Sequence, residues 1–228
     1  MQNIIIILFV LIPVLLLMYY VNQRDTVEKE PILLIIIMMI LGMASVYFSK
    51  QIWNFILSKL PEIEEELTNR NWYVRILTSY GEIAFVEETI KYLLLNIIIY
   101  RNRNYDYMYD GIVYSVAISL GFALVEGLEY GIGNEVAVSL FRSVLTIPMH
   151  MSYGVIMGYY LSKSKNSYEN RLIYYRYTAL LFPIVLHGTS DYLLSTVDNP
   201  IIYIVYALFV YIIALKRINE LSRLDKRI

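Results

Sequence analysis

The sequence predicts an all-α, polytopic transmembrane helix bundle of about seven spans, and three observations carry that expectation. Of the 228 residues, 58% are hydrophobic and the mean hydropathy is +0.53. That is too apolar for an ordinary soluble domain of this length. Apolar runs long enough to cross a bilayer recur along the chain, separated by short charged stretches. Tyrosine occurs 23 times, and Tyr19, Tyr20, Tyr100, Tyr130, Tyr159 and Tyr160 lie at run ends, where aromatic side chains meet the headgroups. The composition also excludes some functions. Cysteine is absent, which rules out disulfides, a thiol nucleophile and a thiolate metal site. A net charge of −1 argues against a nucleic-acid partner. The lipid bilayer is the expected surrounding, and a multi-pass place in the cell membrane the expected location.

The first apolar run, Asn3–Val21, has the length of a signal peptide. No basic residue precedes it and no small-residue cleavage site follows, so it reads as a retained helix. Asn22–Glu30 is a charged loop, and Pro31 suits the start of the next helix. Ile32–Phe48 is the second span, running on toward Leu60, with Pro61 ending it. Glu62–Arg70 reads as a solvated or interfacial helix. Ile76–Tyr100 is the third span, followed by the polar loop Arg101–Asp106. Met108–Tyr130 is the fourth span, closed by a tight turn at Gly131–Glu135. Val136–Leu161 is the fifth and Ser162–Arg176 a basic loop. Tyr177–Leu194 is the sixth span and Ile201–Leu215 the seventh, before a basic tail from Lys216. No repeat or separate soluble domain is visible, so residues 1–228 form one helical domain.

Basic residues orient the spans. Seven spans place Arg24, Lys29, Arg101, Arg103, Lys163, Lys165, Arg171, Arg176 and the tail on one side. Lys50, Lys59, Arg70 and Arg75 fall on the other. The excess of Lys and Arg marks the cytoplasmic face, which puts the N-terminus outside and the C-terminus in the cytoplasm.

The chain is organised around Gly81–Asn96, an apolar span that nevertheless contains Glu87, Glu88 and Lys91. A charged group at bilayer depth costs roughly 2.5–3.5 kcal/mol, so these three must face other helices or a wet cavity. Glu87 and Lys91, four apart, share a helix face and form the expected pair. Glu88 is then the freer carboxylate. Three other spans bring ionisable groups to similar depth in the outer half of the membrane: Glu126, with Phe122 one turn before it; His150, with Arg142 near the start of its span; and His187 with Asp191. Each pair alone has a structural explanation. A shared depth on four spans points instead to one functional cluster, and both histidines of the chain lie in it.

The chemistry open to this cluster is narrow. The G-x-S-x-G and H-E-x-x-H patterns are absent. A buried glutamate is a competent base toward water, and histidines can donate to the oxyanion and the leaving amine. The same side chains could instead ligate a divalent metal such as zinc, with Glu126, His150 and His187 as ligands. Most candidate ligands sit on separate helices. That spacing favours a metal-free glutamate mechanism with no cofactor, Glu88 as base, His150 as oxyanion donor, and His187 oriented by Asp191.

Here the residues reach a resemblance. EETIK at Glu87–Lys91, GFALVE at Gly121–Glu126 and HGTSD at His187–Asp191 resemble the ordered motifs of the PrsW family of intramembrane proteases. DGIVY at Asp110–Tyr114, and Arg142 followed by His150 and Gly158, are similar to it too. The family is distantly similar to the CAAX prenyl protease and bacteriocin-immunity superfamily. The match spans Pro31–Tyr192 and marks a protease-like core at about residues 31–194. Gly127 stands where the family often has Asn, and Ser115 where Gly is common. The resemblance implies site-1 cleavage of a single-span membrane protein, an anti-sigma factor, on its extracytoplasmic side in envelope-stress signalling. Two other classes compete. Intramembrane Glu, His and Lys also mark ion- or proton-coupled transporters, although the internal repeats and broken helices typical of those are not visible. A catalytically silent membrane binding protein could use the same cavity.

Overall fold

A computed structural model describes residues 2–59, 71–132 and 134–228. Leu60, Pro61, the acidic stretch Glu62–Arg70 and Gly133 of the expected turn lie outside the described residues. Among the described residues the protein is helical, joined by short loops.

Helix α1 (Gln2–Arg24) buries Ile6, Val10, Val14, Met18 and Val21, one stripe at helical spacing. Its other faces expose Ile4, Leu8, Leu15 and Leu16, as a helix against lipid does. Helix α2 (Ile32–Lys59) begins just after Pro31, whose carbonyl accepts from Leu34 and Ile35. A continuous helical rod then covers 72–99. It comprises α3 (Trp72–Ile76), a π-helical stretch (Leu77–Phe85), α4 (Val86–Leu94) and a second π-helical stretch (Leu95–Ile99). Helix α5 (Asp110–Gly131) is the centre of the bundle, and every residue from Asp110 to Ala123 is buried. Another rod, 136–165, runs through α6 (Val136–Phe141), a π-helical stretch (Arg142–Thr146) and α7 (Ile147–Lys165). Helices α8 (Glu169–Thr196) and α9 (Pro200–Arg223) complete it.

Around α5 pack α1, α2 and α7; α8 lies against α7 and against the π-helical stretch Leu77–Phe85. Two crossings depend on glycine. A Cβ on Gly121 would sit 2.1 Å from the Met39 carbonyl oxygen of α2, and one on Gly158 would sit 2.1 Å from that of Gly111. Backbones this close admit only hydrogen at those positions, the small-residue packing common between membrane helices.

Helices α1, α2, α5 and α9 are each long and apolar enough to cross a membrane. The other three expected spans fall within the rods 72–99 and 136–165 and within α8. One expectation needs correction. Ser162–Arg176 is not a loop: α7 continues to Lys165 and α8 starts at Glu169, leaving only 166–168 between them. Charge pattern misled here because Lys and Arg at a helix end snorkel to water without ending the helix. The tail from Lys216 is helical to Arg223.

Candidate active site

Several of the expected site residues sit beside departures from regular α geometry. The turn carrying Glu87, Glu88 and Lys91 is flanked on both sides by π-helical stretches, and Arg142 opens a third just before Pro148. Proline has no N–H to give to the carbonyl four residues back, so a wider turn there loses little. Such wide turns recur at functional sites because they rotate the side chains beyond them.

All the expected residues come together. Glu88 is fully buried and accepts from Lys91 Nζ at 2.8 Å and from His187 Nδ1 at 2.9 Å on the same oxygen. Glu87 lies farther from the lysine, at 3.6 Å, and 4.0 Å from His187 Nε2. The expected pairing is therefore reversed: the i, i+3 partner Glu88 holds Lys91, and Glu87 is the freer carboxylate. Both spacings lie on one helix face, and the sequence alone could not choose between them. Lys91 Nζ also rests 3.8 Å above the Phe122 ring, a cation–π contact that explains an aromatic one turn before Glu126.

On α5, Glu126 joins two partners. One oxygen is 2.8 Å from Arg142, and the other is 2.7 Å from His150 Nε2. The His150 and His187 rings meet edge to face with centroids 5.1 Å apart. Asp191 approaches His187 Nε2 at 3.3 Å, and on the other side of the ring Nδ1–H donates to Glu88. The expected His187–Asp191 pair is present, and Glu88, a partner 99 residues away that local spacing does not reveal, holds the other ring nitrogen.

A cavity of about 550 Å³ opens onto this cluster, lined by Glu87, Glu126, Arg142, His150, Tyr153, His187 and Asp191. Tyr153 was missed by the sequence reading. It stacks on His187 with ring centroids 4.8 Å apart, and its buried hydroxyl has no hydrogen-bond partner. The available signal was its place three residues after His150, on the same face of α7.

One set of donors suits a metal ion. Glu88, His150 and His187 each offer one ligand atom, all within 4.8 Å of one another and all buried. Glu126 is not in this set, because Arg142 and His150 Nε2 occupy it. Glu88 replaces it. His150 Nδ1 and Glu88 Oε2 have no hydrogen-bond partner, so each keeps a free donor atom. With Nε2–H donating to Glu126, the lone pair of His150 is on Nδ1. A carboxylate on the far ring nitrogen is the usual support for a metal-binding imidazole. Two imidazoles and a carboxylate fit a divalent ion such as zinc.

Comparison with known proteins decides the family. The family model described as "PrsW family intramembrane metalloprotease" matches residues 30–215. The chain belongs to the PrsW family. It is 33% identical over 158 residues to Protease PrsW of Bacillus subtilis, covering 69% of this chain and 71% of that protein. It is 35% identical over 150 residues to Protease PrsW of Oceanobacillus iheyensis (63% and 68% of the two chains). It is 35% identical over 156 residues to that of Clostridioides difficile (66% and 64%). No solved structure matches the chain. The PrsW assignment makes it a membrane protein and an intramembrane peptidase. The family description calls its members metalloproteases, against the metal-free preference drawn from ligand spacing.

Proposed function

We propose that this PrsW-family chain is a divalent-metal-dependent endopeptidase. Its substrate is a single-span membrane protein such as an anti-sigma factor, cut on or near the extracytoplasmic side. The chain crosses the bilayer seven times, N-terminus outside and C-terminus in the cytoplasm, which puts the cavity in the outer half of the membrane. The observation that carries the reading is the cavity itself. Glu87, Glu126, His150, His187 and Asp191 reach it from four separate helical segments. Insertion into a bilayer disfavours such residues strongly unless function retains them.

Each residue has a task. Glu87 faces the cavity and is the base: it takes a proton from water as the water oxygen adds to the scissile carbonyl. When the C–N bond breaks, that proton passes to the leaving nitrogen. The Tyr153 hydroxyl and the Arg142 side chain, both on the cavity wall, donate to the carbonyl oxygen as negative charge develops there. Glu88 holds Lys91 and His187 in place through one oxygen and keeps the other for the ion. Glu126 holds His150 and Arg142 in place. A divalent ion held by Glu88, His150 and His187 would add Lewis-acid polarisation of the water and the carbonyl.

Cleavage of a single-span membrane protein by the purified chain in proteoliposomes tests the reading. Wild type should yield two fragments with a cut near the outer membrane face, and Glu87→Gln should yield none. Ion flux without cleavage would instead identify a transporter, and neither activity would leave a binding protein.

A further inference from the structure

The opposite end of α5 carries a second set of buried acids that peptide cleavage does not use. Asp110 opens the helix, 16 residues before Glu126, so the two lie about 24 Å apart by helix rise. Beside it come Asp25 and Glu30 from the connection between α1 and α2. The three donor oxygens lie within 4.8 Å of one another, and all three residues are buried. Asp225, just beyond α9, closes the group through the Tyr109 backbone N–H.

These carboxylates are arranged in a particular way. Asp110 Oδ2 accepts from the backbone N–H groups of Asp106 and Tyr107 at 3.0 and 2.7 Å. Asp225 Oδ1 accepts from Tyr109 N at 3.0 Å, and Glu30 Oε2 accepts from the Tyr114 hydroxyl. The second oxygen of Asp225 is buried without a partner, and the Asp110 carboxyl has that of Glu30 within hydrogen-bond reach. Asp25 is the decisive group. It is 1% exposed, and neither of its carboxylate oxygens has a hydrogen-bond partner. Neighbouring lysines lie close to these acids but give their hydrogen bonds to backbone oxygens, not to the carboxylates. Lys29 Nζ donates to the backbone carbonyls of Asn22 and Asp25, Lys165 to that of Tyr105, and Arg227 pairs with Asp106.

Buried like charges with free lone pairs repel one another unless something positive sits between them. Backbone and hydroxyl donors already fix three of the four acids, so the orientation of a cage is in place before any ligand arrives. We propose that Asp25, Glu30 and Asp110 form a binding site for a hard divalent cation, calcium or magnesium, with Asp225 beside them. All four side chains offer oxygen only, with no imidazole or sulfur, which selects these ions over zinc. The site ties the α1–α2 connection to the start of α5 and to the C-terminal tail. That tail is already fastened there, with Met108 N donating to the Lys226 carbonyl and Ile228 N to that of Asp106.

The site does not depend on the protease reading, and binding alone tests it. Calcium or magnesium chloride is titrated into the full-length chain in detergent after divalent ions have been stripped. Trypsin cleavage after Arg223, Lys226 and Arg227 is followed by mass spectrometry alongside the heat of binding. Wild type should take up one equivalent that zinc does not displace, and its tail should be cut at least tenfold more slowly with the cation present. Asp25→Asn and Glu30→Gln should each weaken binding at least tenfold and abolish the protection; the second variant serves if the first fails to fold. Calcium and magnesium arms separate a wide oxygen cage from a tight octahedral one. Failure of wild type to bind either ion, or unchanged binding in both variants, overturns the proposal. So does an Asp25→Asn protein more heat-stable than wild type with and without cation, since the acids would then be held by shared protons.

Discussion

Neutralising Glu87 and Glu88 in turn separates the base from the residue that holds Lys91, His187 and the ion. Glu88 is fully buried, and one of its oxygens holds both Lys91 at 2.8 Å and His187 at 2.9 Å. Glu88→Gln leaves the Lys91 ammonium buried, with Glu87 at 3.6 Å as its remaining carboxylate. Removing one partner of a buried ion pair costs about 3–5 kcal/mol, and the surviving carboxylate places this case near the low end. Glu87 sits at the cavity wall and is not the closer partner of the lysine. Glu87→Gln should therefore cost about 1 kcal/mol or less, in the range of a weakly coupled pair, while turnover falls about 10²–10⁴-fold through loss of the base. The assay is thermal unfolding in detergent beside cleavage in proteoliposomes. Two results would refute the division of roles: Glu88→Gln as heat-stable as wild type, or Glu87→Gln turning over at the wild-type rate.

Other predictions follow from the same contacts. Arg142→Gln removes a donor to the carbonyl oxygen as well as the 2.8 Å partner of Glu126; turnover should drop about 10²–10³-fold, and kinetics with a fixed substrate checks this. Gly158→Ala drives a Cβ to 2.1 Å from the Gly111 carbonyl oxygen, and overpacking of this kind should destabilise by about 1–3 kcal/mol in a denaturation series. Lys50→Ala breaks an exposed bridge to Glu129 and should change stability by no more than about 1 kcal/mol. Reporter fusions after Arg227 and within Glu62–Asn69 should report opposite faces, the first cytoplasmic; agreement between them would remove an odd number of spans.

Much of the site was legible before any coordinates because charge inside an apolar run is costly. Glu87, Glu88, Lys91, Glu126, His150, His187 and Asp191 stand out on that ground alone, and the structure gathers them. Partner choice was not legible. Lys91 lies within reach of acids at i−3 and i−4, and only the wide turns around α4 and the position of His187 decide which oxygen it takes. Tyr153 was hidden for a different reason: among 23 tyrosines, one more in an apolar helix carries no contrast. Asp25 and Glu30 were read only as part of a charged loop, since a short charged connection looks the same whether its acids face water or fold inward onto α5.

Metal content and turnover, measured on the same preparations, test the central claim most directly. Purified chain is stripped with a chelator, reloaded with zinc, and assayed against a single-span substrate in proteoliposomes. Stripping should abolish cleavage and zinc should restore it. Glu87→Gln should take up the metal yet not cleave, while the paired substitution His150→Ala and His187→Ala should do neither. Cleavage that continues at the wild-type rate in stripped protein, or in the doubly substituted chain, would contradict the account.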